Sequence, residues 1–302
     1  MMKACLLFLL GFYCLPLGLY AQSGDSDELL ELTDLLYVDE LQVANDTLQR
    51  LNLVVPVGKK KMPLFVWIGG GAWAYVNRHG EMDLARKFAQ EGMAVASLGH
   101  RLSPAIWRDS TMIEGVQHPA HIEDVAIAFK WLYDHADAYG YDRDQMFIGG
   151  YSSGGHLAAL LSVAEKHLAH VGLPREVIKG VIPIAGAYDI SAYHRVFLDS
   201  SRPELADLHV KAVFGDTEED FKDASPTSYV ASMTIPMLLI SESQSYNYTR
   251  IFENSIVASD FNDLEVIHVR EMGHGEFWNH LASADSSTYR DSIVQFIKSG
   301  NG

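Results

Sequence analysis

The sequence predicts an α/β domain in which a mostly parallel central sheet is covered by helices on both faces. Short apolar runs of strand length alternate along the chain with longer segments whose apolar residues recur at helical spacing. This alternation is typical of strands joined by crossover helices, which form parallel sheets. After residue 28 the chain has no internal repeat, low-complexity tract or Pro/Ser-rich linker. Residues 22–302 are therefore expected to form a single domain.

The predicted strands are short apolar runs bounded by polar residues or glycine, at residues 48–57, 63–68, 94–98, 145–148, 181–185, 237–240 and 266–269. The predicted helices have apolar residues three and four positions apart, at residues 83–90, 121–138, 157–161, 249–259 and 289–298. Residues 191–233 are expected to be irregular because they contain Pro203, Pro226 and mixed charges. An insertion of this kind is a candidate lid or cap over a site.

Residues 1–21 are expected to be a signal peptide. Lys3 precedes a short apolar run, and the small residue Ala21 stands at the expected cleavage point. The run is shorter than the roughly 20 apolar residues of a membrane span, so no span is predicted. Lipid attachment at Cys14 is the alternative, but bulky residues before this cysteine disfavour it. The domain is therefore expected to be secreted or periplasmic, and it has no cysteine left to form a disulfide.

The chain is strongly acidic. It contains 23 Lys and Arg against 39 Asp and Glu, a formal net charge of −16, and loss of Lys3 with the leader makes the charge −17. Such a surface disfavours binding to nucleic acid or to anionic membranes. The composition suits a secreted, soluble protein and leaves the oligomeric state open.

A serine at the centre of Gly-x-Ser-x-Gly is the most informative motif in the chain. Residues 148–156, IGGYSSGGH, place Ser152 directly after a predicted strand and before a predicted helix. A nucleophilic serine needs such a sharp corner, and the residues two before and two after it must be nearly free of side chains so that strand and helix can approach. Gly150 and Gly154 meet this need. Ser152 is therefore the candidate nucleophile.

A glycine run upstream of this motif is suited to supply amide donors. It lies in residues 67–73, WIGGGAW, at the end of an apolar strand. Acyl transfer builds negative charge on a carbonyl oxygen, and glycines let backbone N–H groups point at that oxygen. Gly71 and Ala72 are the candidate donors and Gly70 is expected to hold the turn. The amide of Ser153, which follows the nucleophile, is the third candidate donor.

A general base for the serine is expected late in the chain. His274 lies between two glycines on a predicted loop after the last strand, where an imidazole can reach the sheet edge. His280 is the alternative base, and His268 is disfavoured because it lies within a strand. No histidine pair has the i, i+4 spacing with a nearby glutamate that a zinc protease needs. The sequence therefore predicts neither a catalytic metal nor a cofactor.

These motifs resemble the α/β-hydrolase superfamily. Within it they resemble the carboxylesterase and hormone-sensitive-lipase-like branch, which includes feruloyl and acetyl esterases and relatives of kynurenine formamidase. Residues 100–104, HRLSP, are similar to the Tyr-Arg-Leu-Ala-Pro segment of those enzymes. Residues 139–142, YGYD, and 187–189, AYD, match further family segments. The resemblance extends from residue 67 to His274 and implies an α/β-hydrolase fold.

The chain departs from that family at two positions. Gly69 stands where the family usually has a histidine that supports the glycine loop, so a looser loop with intact donors is expected. The acid that usually follows the strand at 237–240 is replaced by Gln244. An amide cannot stabilise an imidazolium as a carboxylate does.

Three arrangements would supply or replace this acid. Glu242 is preferred because a glutamate after this strand serves other hydrolases and needs little shift of the loop. Asp189 could supply the carboxylate from the preceding strand, although it is also a candidate helix cap. The third arrangement is a dyad of serine and histidine alone.

The resemblance implies a serine carboxylesterase that forms an acyl-enzyme on Ser152 from a small-molecule or carbohydrate ester. A peptidase or formamidase using the same residues is an alternative. A catalytically impaired binding protein is another, which Gly69 and Gln244 favour. Aromatic residues near the motifs are candidates to line a pocket: Trp73, Tyr75, Trp107, Phe277 and Trp278.

Overall fold

The computed structural model describes residues 28–39 and 47–300. These residues form an eight-stranded sheet in the order β1-β2-β4-β3-β5-β6-β7-β8. Strand β2 is antiparallel to β1 and β4, and the remaining neighbours are parallel, which confirms the predicted mostly parallel sheet. The strands are β1 (Leu29–Leu36), β2 (Arg50–Pro56), β3 (Met62–Ile68), β4 (Ala94–Leu98), β5 (Tyr141–Tyr151), β6 (Ile178–Ile184), β7 (Met237–Glu242) and β8 (Leu264–Val269). The predicted signal peptide lies outside the described residues.

Helices cover both faces of this sheet, as the sequence predicts. Helices α1, α9 and α10 pack on one face, and α2, α3 and α8 pack on the other. Their bounds are α1 (Met82–Gln90), α2 (Ala120–Tyr139), α3 (Ser153–Val163), α4 (Lys166–His170), α5 (Ile190–Leu198), α6 (Ala212–Phe214), α7 (Glu218–Ala224), α8 (Tyr246–Val257), α9 (His274–Ser283) and α10 (Thr288–Ser299). Within the described residues, no helix combines the length and apolar character that crossing a membrane requires.

Successive side chains of a strand point to opposite faces of the sheet, so one apolar run contributes to the apolar cores on both faces. In β3, Leu64 and Val66 point to the face covered by α2 and α3, whereas Phe65 and Trp67 point to the face covered by α1 and α9. All four side chains are at most 1% exposed. Burying a side chain of this size stabilises the fold by about 1.5–3 kcal/mol. The central strands are thus continuous apolar runs, as expected for a sheet covered on both faces.

Several segments differ from the sequence prediction, among them the short helix α4, which was not predicted. Strand β1 was not predicted, and His274 begins helix α9 instead of lying on a loop. Residues 191–233 are largely helical and not irregular, since they contain most of α5, α6 and α7, a π-helical turn at Ala206–Lys211 and a 3₁₀ stretch at Pro226–Ser232. A capping box in which Thr217 and Asp220 bond each other's backbone amides starts α7 and stabilises one of these short helices.

The parallel strands β3, β5, β7 and β8 all end at the same edge of the sheet. Residue 69 follows β3, Ser152 follows β5, Glu242 ends β7 and the loop before His274 follows β8. The motifs singled out in the sequence therefore converge at this edge, where sites in open α/β sheets form.

Candidate active site

Ser152 occupies the sharp corner between β5 and α3. Its backbone has φ 54° and ψ −118°, a conformation that residues other than glycine rarely adopt. Such a conformation costs about 1–3 kcal/mol and persists only where the surroundings enforce it. Here the Ser152 amide donates a hydrogen bond of 2.8 Å to the carbonyl of Ile184 on the neighbouring strand. The sheet thus holds the serine at the edge in a strained backbone conformation.

The glycines on either side of Ser152 are required by close backbone contacts. A Cβ atom on Gly154 would lie 2.0 Å from the carbonyl oxygen of Ile68. A Cβ atom on Gly150 would lie 2.6 Å from that oxygen and from the carbonyl of Gly154. Side chains at these two positions would therefore keep β3 and α3 apart, which is the steric reason for the glycines that the sequence analysis gave.

The glycine loop after β3 lies against the serine corner. A Cβ atom on Gly70 would lie 3.3 Å from the Ser152 Cβ. Gly71 turns the chain, and its carbonyl accepts hydrogen bonds of 2.9 Å from two amides farther along the loop. Among the residues described, the amides of Gly71, Ala72 and Ser153 donate to no protein acceptor. Three unpaired N–H groups near a serine hydroxyl are suited to bind an oxyanion.

His274 and Glu242 meet beside the serine. The His274 Nδ1 lies 3.0 Å from Glu242 Oε1, and the glutamate side chain is fully buried. The same carboxylate accepts hydrogen bonds from the amides of Gln244 at 2.6 Å and Ser245 at 2.8 Å. Burial alone would raise the pKa of Glu242, but the hydrogen bonds from His274, Gln244 and Ser245 outweigh it and lower the pKa below its ordinary value. Glu242 is thus held as a carboxylate that fixes the imidazole.

Further hydrogen bonds tie the β7–α8 loop to the β8–α9 loop. The His274 amide donates to Gln244 Oε1 at 3.0 Å, and the Ser243 amide and hydroxyl donate to the carbonyl of Met272. The Tyr151 hydroxyl donates to the carbonyl of His274 at 2.6 Å. Gln244, which the sequence marked only as a missing acid, therefore positions the backbone of His274. No local signal in the sequence indicated this role or that of Tyr151.

The alternative residues lie elsewhere or serve other contacts. Asp189 caps α5 by accepting a hydrogen bond of 2.8 Å from the amide of Ala192. His268, on β8, shares a hydrogen bond with Ser241 on β7, and its Nε2 lies 3.0 Å from Glu253 Oε2 on α8. His280 lies farther along α9, where its ring contacts Tyr289.

His156, one turn after the serine, is buried behind the site. It accepts a hydrogen bond from the Trp73 indole at 3.2 Å and donates one to the carbonyl of Ala224 at 2.7 Å. Burial lowers its pKa to about 3, so the ring is neutral. This imidazole joins the glycine loop to the 191–233 segment.

Ser152 and His274 line a cavity of about 560 Å³, a size typical of small-molecule sites, and a second, smaller one of about 250 Å³. Tyr75, Trp107 and Trp278 line the larger cavity as the sequence suggested, Trp73 lines the smaller one, and Phe277 is buried in the core. The 191–233 segment supplies one wall, formed by Tyr193, Phe197, Leu205 and His209. In the described part of the chain, no hydrogen bond joins the Ser152 hydroxyl to the His274 ring, and such bonds often form only in the substrate complex. Nor do these residues include three or more His, Cys, Asp or Glu side chains grouped to hold a metal ion.

The BD-FAE family model matches residues 51–246, well over half of the chain. The chain belongs to the BD-FAE family. The match includes the glycine loop, the serine corner and Glu242, and it ends before His274. The family resemblance inferred from the motifs is thus confirmed.

Curated relatives of this BD-FAE protein include two from Mycobacterium tuberculosis. Esterase LipC is 28% identical over 79% of this chain, and the probable carboxylic ester hydrolase LipM is 27% identical over 59% of it. The matched region covers 58% of LipC and 40% of LipM, so the chain spans about half the length of these relatives.

Two solved structures are similar in fold. Inhibited esterase B from Lactobacillus rhamnosis has a TM-score of 0.74 at 19% identity, covering 93% of this chain and 89% of that one. A truncated carbohydrate esterase from gut microbiota has a TM-score of 0.66 at 21% identity, covering 90% of this chain and 96% of that one. The fold is therefore the α/β-hydrolase fold that the resemblance implied.

Proposed function

We propose that this BD-FAE protein is a carboxylesterase that works through an acyl-enzyme on Ser152. The single observation that carries the proposal is the meeting of the strained serine, the His274–Glu242 pair and three unpaired amides around the Ser152 hydroxyl. Ser152 Oγ attacks the ester carbonyl while His274 takes its proton, and the amides bind the oxyanion. His274 then protonates the departing alcohol, and a water molecule releases the acid by the same route.

The names of similar proteins support ester bonds over amide bonds. LipC is called an esterase and LipM a probable carboxylic ester hydrolase. A similar structure from gut microbiota is called a carbohydrate esterase. We therefore propose short-acyl esters as substrates, including esters whose alcohol is a carbohydrate.

A fluorophosphonate probe tests for the activated serine. We expect stoichiometric labelling of the folded protein, together with hydrolysis of p-nitrophenyl acetate and butyrate and much slower hydrolysis of the matching p-nitroanilides. Equal or faster anilide hydrolysis would instead favour a peptidase or formamidase. A folded protein that neither labels nor turns over any ester would contradict the proposal and favour a binding protein.

The wall formed by the 191–233 segment is expected to limit acyl length. Phe197 lines the cavity and packs against Tyr193 and His209, with ring centroids 5.0 and 5.6 Å apart. Phe197→Ala should raise kcat/KM for octanoate relative to acetate by about tenfold, since the removed ring leaves room for added methylenes. Leu198→Ala is the matched control, because Leu198 is 50% exposed and does not line the cavity. An unchanged ratio in Phe197→Ala would exclude this wall from the acyl site.

We further propose that the protein is exported, on the basis of the leader pattern in residues 1–21. N-terminal sequencing of the protein recovered outside the cytoplasm should begin at Gln22. Recovery of a chain that retains the leader in the cytoplasm would contradict export.

A further inference from the structure

A buried carboxyl group that the proposed mechanism does not use lies beside the glycine loop. Glu81 ends the 3₁₀ turn at Arg78–Glu81, is only 6% exposed and lines the same cavity as Ser152. Its Oε2 accepts a hydrogen bond of 2.7 Å from the Trp67 indole on β3. Its Oε1 has no hydrogen-bond partner in residues 28–39 and 47–300. An acidic group this deeply buried needs an explanation.

The same carboxyl fills the space that a side chain at position 69 would occupy. A Cβ atom on Gly69 would lie 2.5 Å from Glu81 Oε1 and 2.7 Å from Glu81 Cδ, and only Glu81 atoms lie that close. Gly69 does not have a positive φ, so its backbone would accept a side chain. The sequence predicts a looser loop because no histidine supports it at position 69. In the structure the Glu81 carboxyl packs against Gly69 and takes that supporting place.

We propose that Glu81 is a positioning residue for the oxyanion-binding loop. Its carboxyl is held by the Trp67 indole and fixes the position of Gly69. Because Gly71 and Ala72 follow Gly69 in the loop, this contact also sets where their amides lie relative to Ser152. This inference rests on the proposed function. A shift of about 1 Å in such donors can lower a rate about 100-fold, so a group that fixes the loop controls kcat without touching the substrate.

The protonation of Glu81 adds a measurable signature. Burial raises its pKa to about 7, and the hydrogen bond from Trp67 only partly opposes this. An ionised Glu81 would repel the developing oxyanion, so the neutral form is the active one. Titratable or charged residues on its own turn, on β2, α1 and α9, and at the end of β5 are Arg50, Arg78, His79, Asp83, Arg86, Lys87, Tyr151, His274, Glu276 and His280. Of these, Arg78 and His79 pair with Asp34, and Arg86 pairs with Glu31 and Asp83, away from the cavity.

The test compares Glu81→Gln with Glu81→Ala. Glutamine keeps the shape and an oxygen for the Trp67 indole but cannot ionise. We expect Glu81→Gln to keep wild-type kcat at pH 6, and Glu81→Ala to lose about tenfold to 100-fold in kcat with little change in KM. From pH 6 to pH 8 the ratio of wild-type kcat to Glu81→Gln kcat should fall toward about one tenth as Glu81 ionises, since every other titrating group is the same in both proteins. A ratio that stays constant would contradict an ionising Glu81.

Gly69→Ala gives an independent test, because its methyl group would displace the carboxyl. We expect it to match Glu81→Ala, and the double variant to be no worse than either, which marks one shared contact. The proposal is overturned if folded Glu81→Ala has wild-type kcat, or if Glu81→Gln at pH 6 is as impaired as Glu81→Ala. Failure of the wild type to label with fluorophosphonate would overturn the proposed function instead, so the two failures are distinguishable.

Discussion

Replacing Ser152 with alanine is expected to lower kcat for ester hydrolysis by about 10⁶ and to abolish fluorophosphonate labelling. The large effect follows because the hydroxyl forms the covalent intermediate, and the remaining amides supply only a small residual rate. Alanine keeps the backbone conformation of the corner, so the fold and the cavity should be retained. The measurement is kcat for p-nitrophenyl butyrate at saturating substrate, beside the thermal midpoint of unfolding.

Ser162→Ala is the matched control for this variant. Ser162 lies on helix α3, which begins directly after Ser152, and it is buried, with its hydroxyl donating only to the carbonyl of Ala159. Its activity should stay close to wild type. Turnover that survives in Ser152→Ala at the wild-type level would place the nucleophile elsewhere and remove the basis of the proposed mechanism.

Glu242→Gln is expected to lower kcat by about 10⁴. The amide would keep the size of the side chain, but it could not stabilise the imidazolium that forms when His274 takes the serine proton. It would also direct an NH₂ group at some of the N–H donors that now bind the carboxylate. The measurement is kcat for p-nitrophenyl butyrate together with the thermal midpoint, since a buried mismatch also reduces stability.

Two further substitutions separate the candidates for the acid. Asp189→Asn should have a small effect on kcat, because Asp189 caps α5. Gln244→Ala should cost less than Glu242→Gln, because Gln244 holds only the backbone of His274. A large loss in Asp189→Asn with none in Glu242→Gln would assign the acid to Asp189. Wild-type activity in both would indicate a dyad.

The fold was predictable where the chain carries its own pattern. Ala94–Leu98 is apolar at every position but one and forms the predicted strand residue for residue. By contrast, β1 reads LLELTDLL, has no strict alternation and becomes a strand only through its pairing with β2 at the sheet edge. The start of α9 carries two glycines, which predict a loop, yet the side chain of Gln244 satisfies the amide at its first turn. Contacts distant in sequence decided these segments.

The candidate site also has parts that the local sequence predicts and parts that depend on contacts distant in sequence. The serine corner and its glycines depend on local geometry, so the motif alone predicted them. The pairing of Glu242 with His274 required knowing how far each side chain reaches past its strand, and the sequence offered it as one of three choices. Glu81 carried no motif at all. Its position beside Gly69 follows from the way the turn before α1 folds back onto β3, and no spacing along the chain encodes that contact.

The position of Glu242 at the last residue of β7 has a consequence for comparing distant relatives. A glutamate is longer than an aspartate by one methylene group, so it reaches His274 from a point two residues earlier than Gln244. An alignment that compares the chain column by column finds an amide in the acid's column and would class the protein as degenerate. Superposition of atoms instead finds a carboxylate. In such families the acidic residue can change its position in the sequence while its carboxylate keeps the same place in the site. The absence of an acid at one aligned position is therefore weak evidence that a chain is inactive.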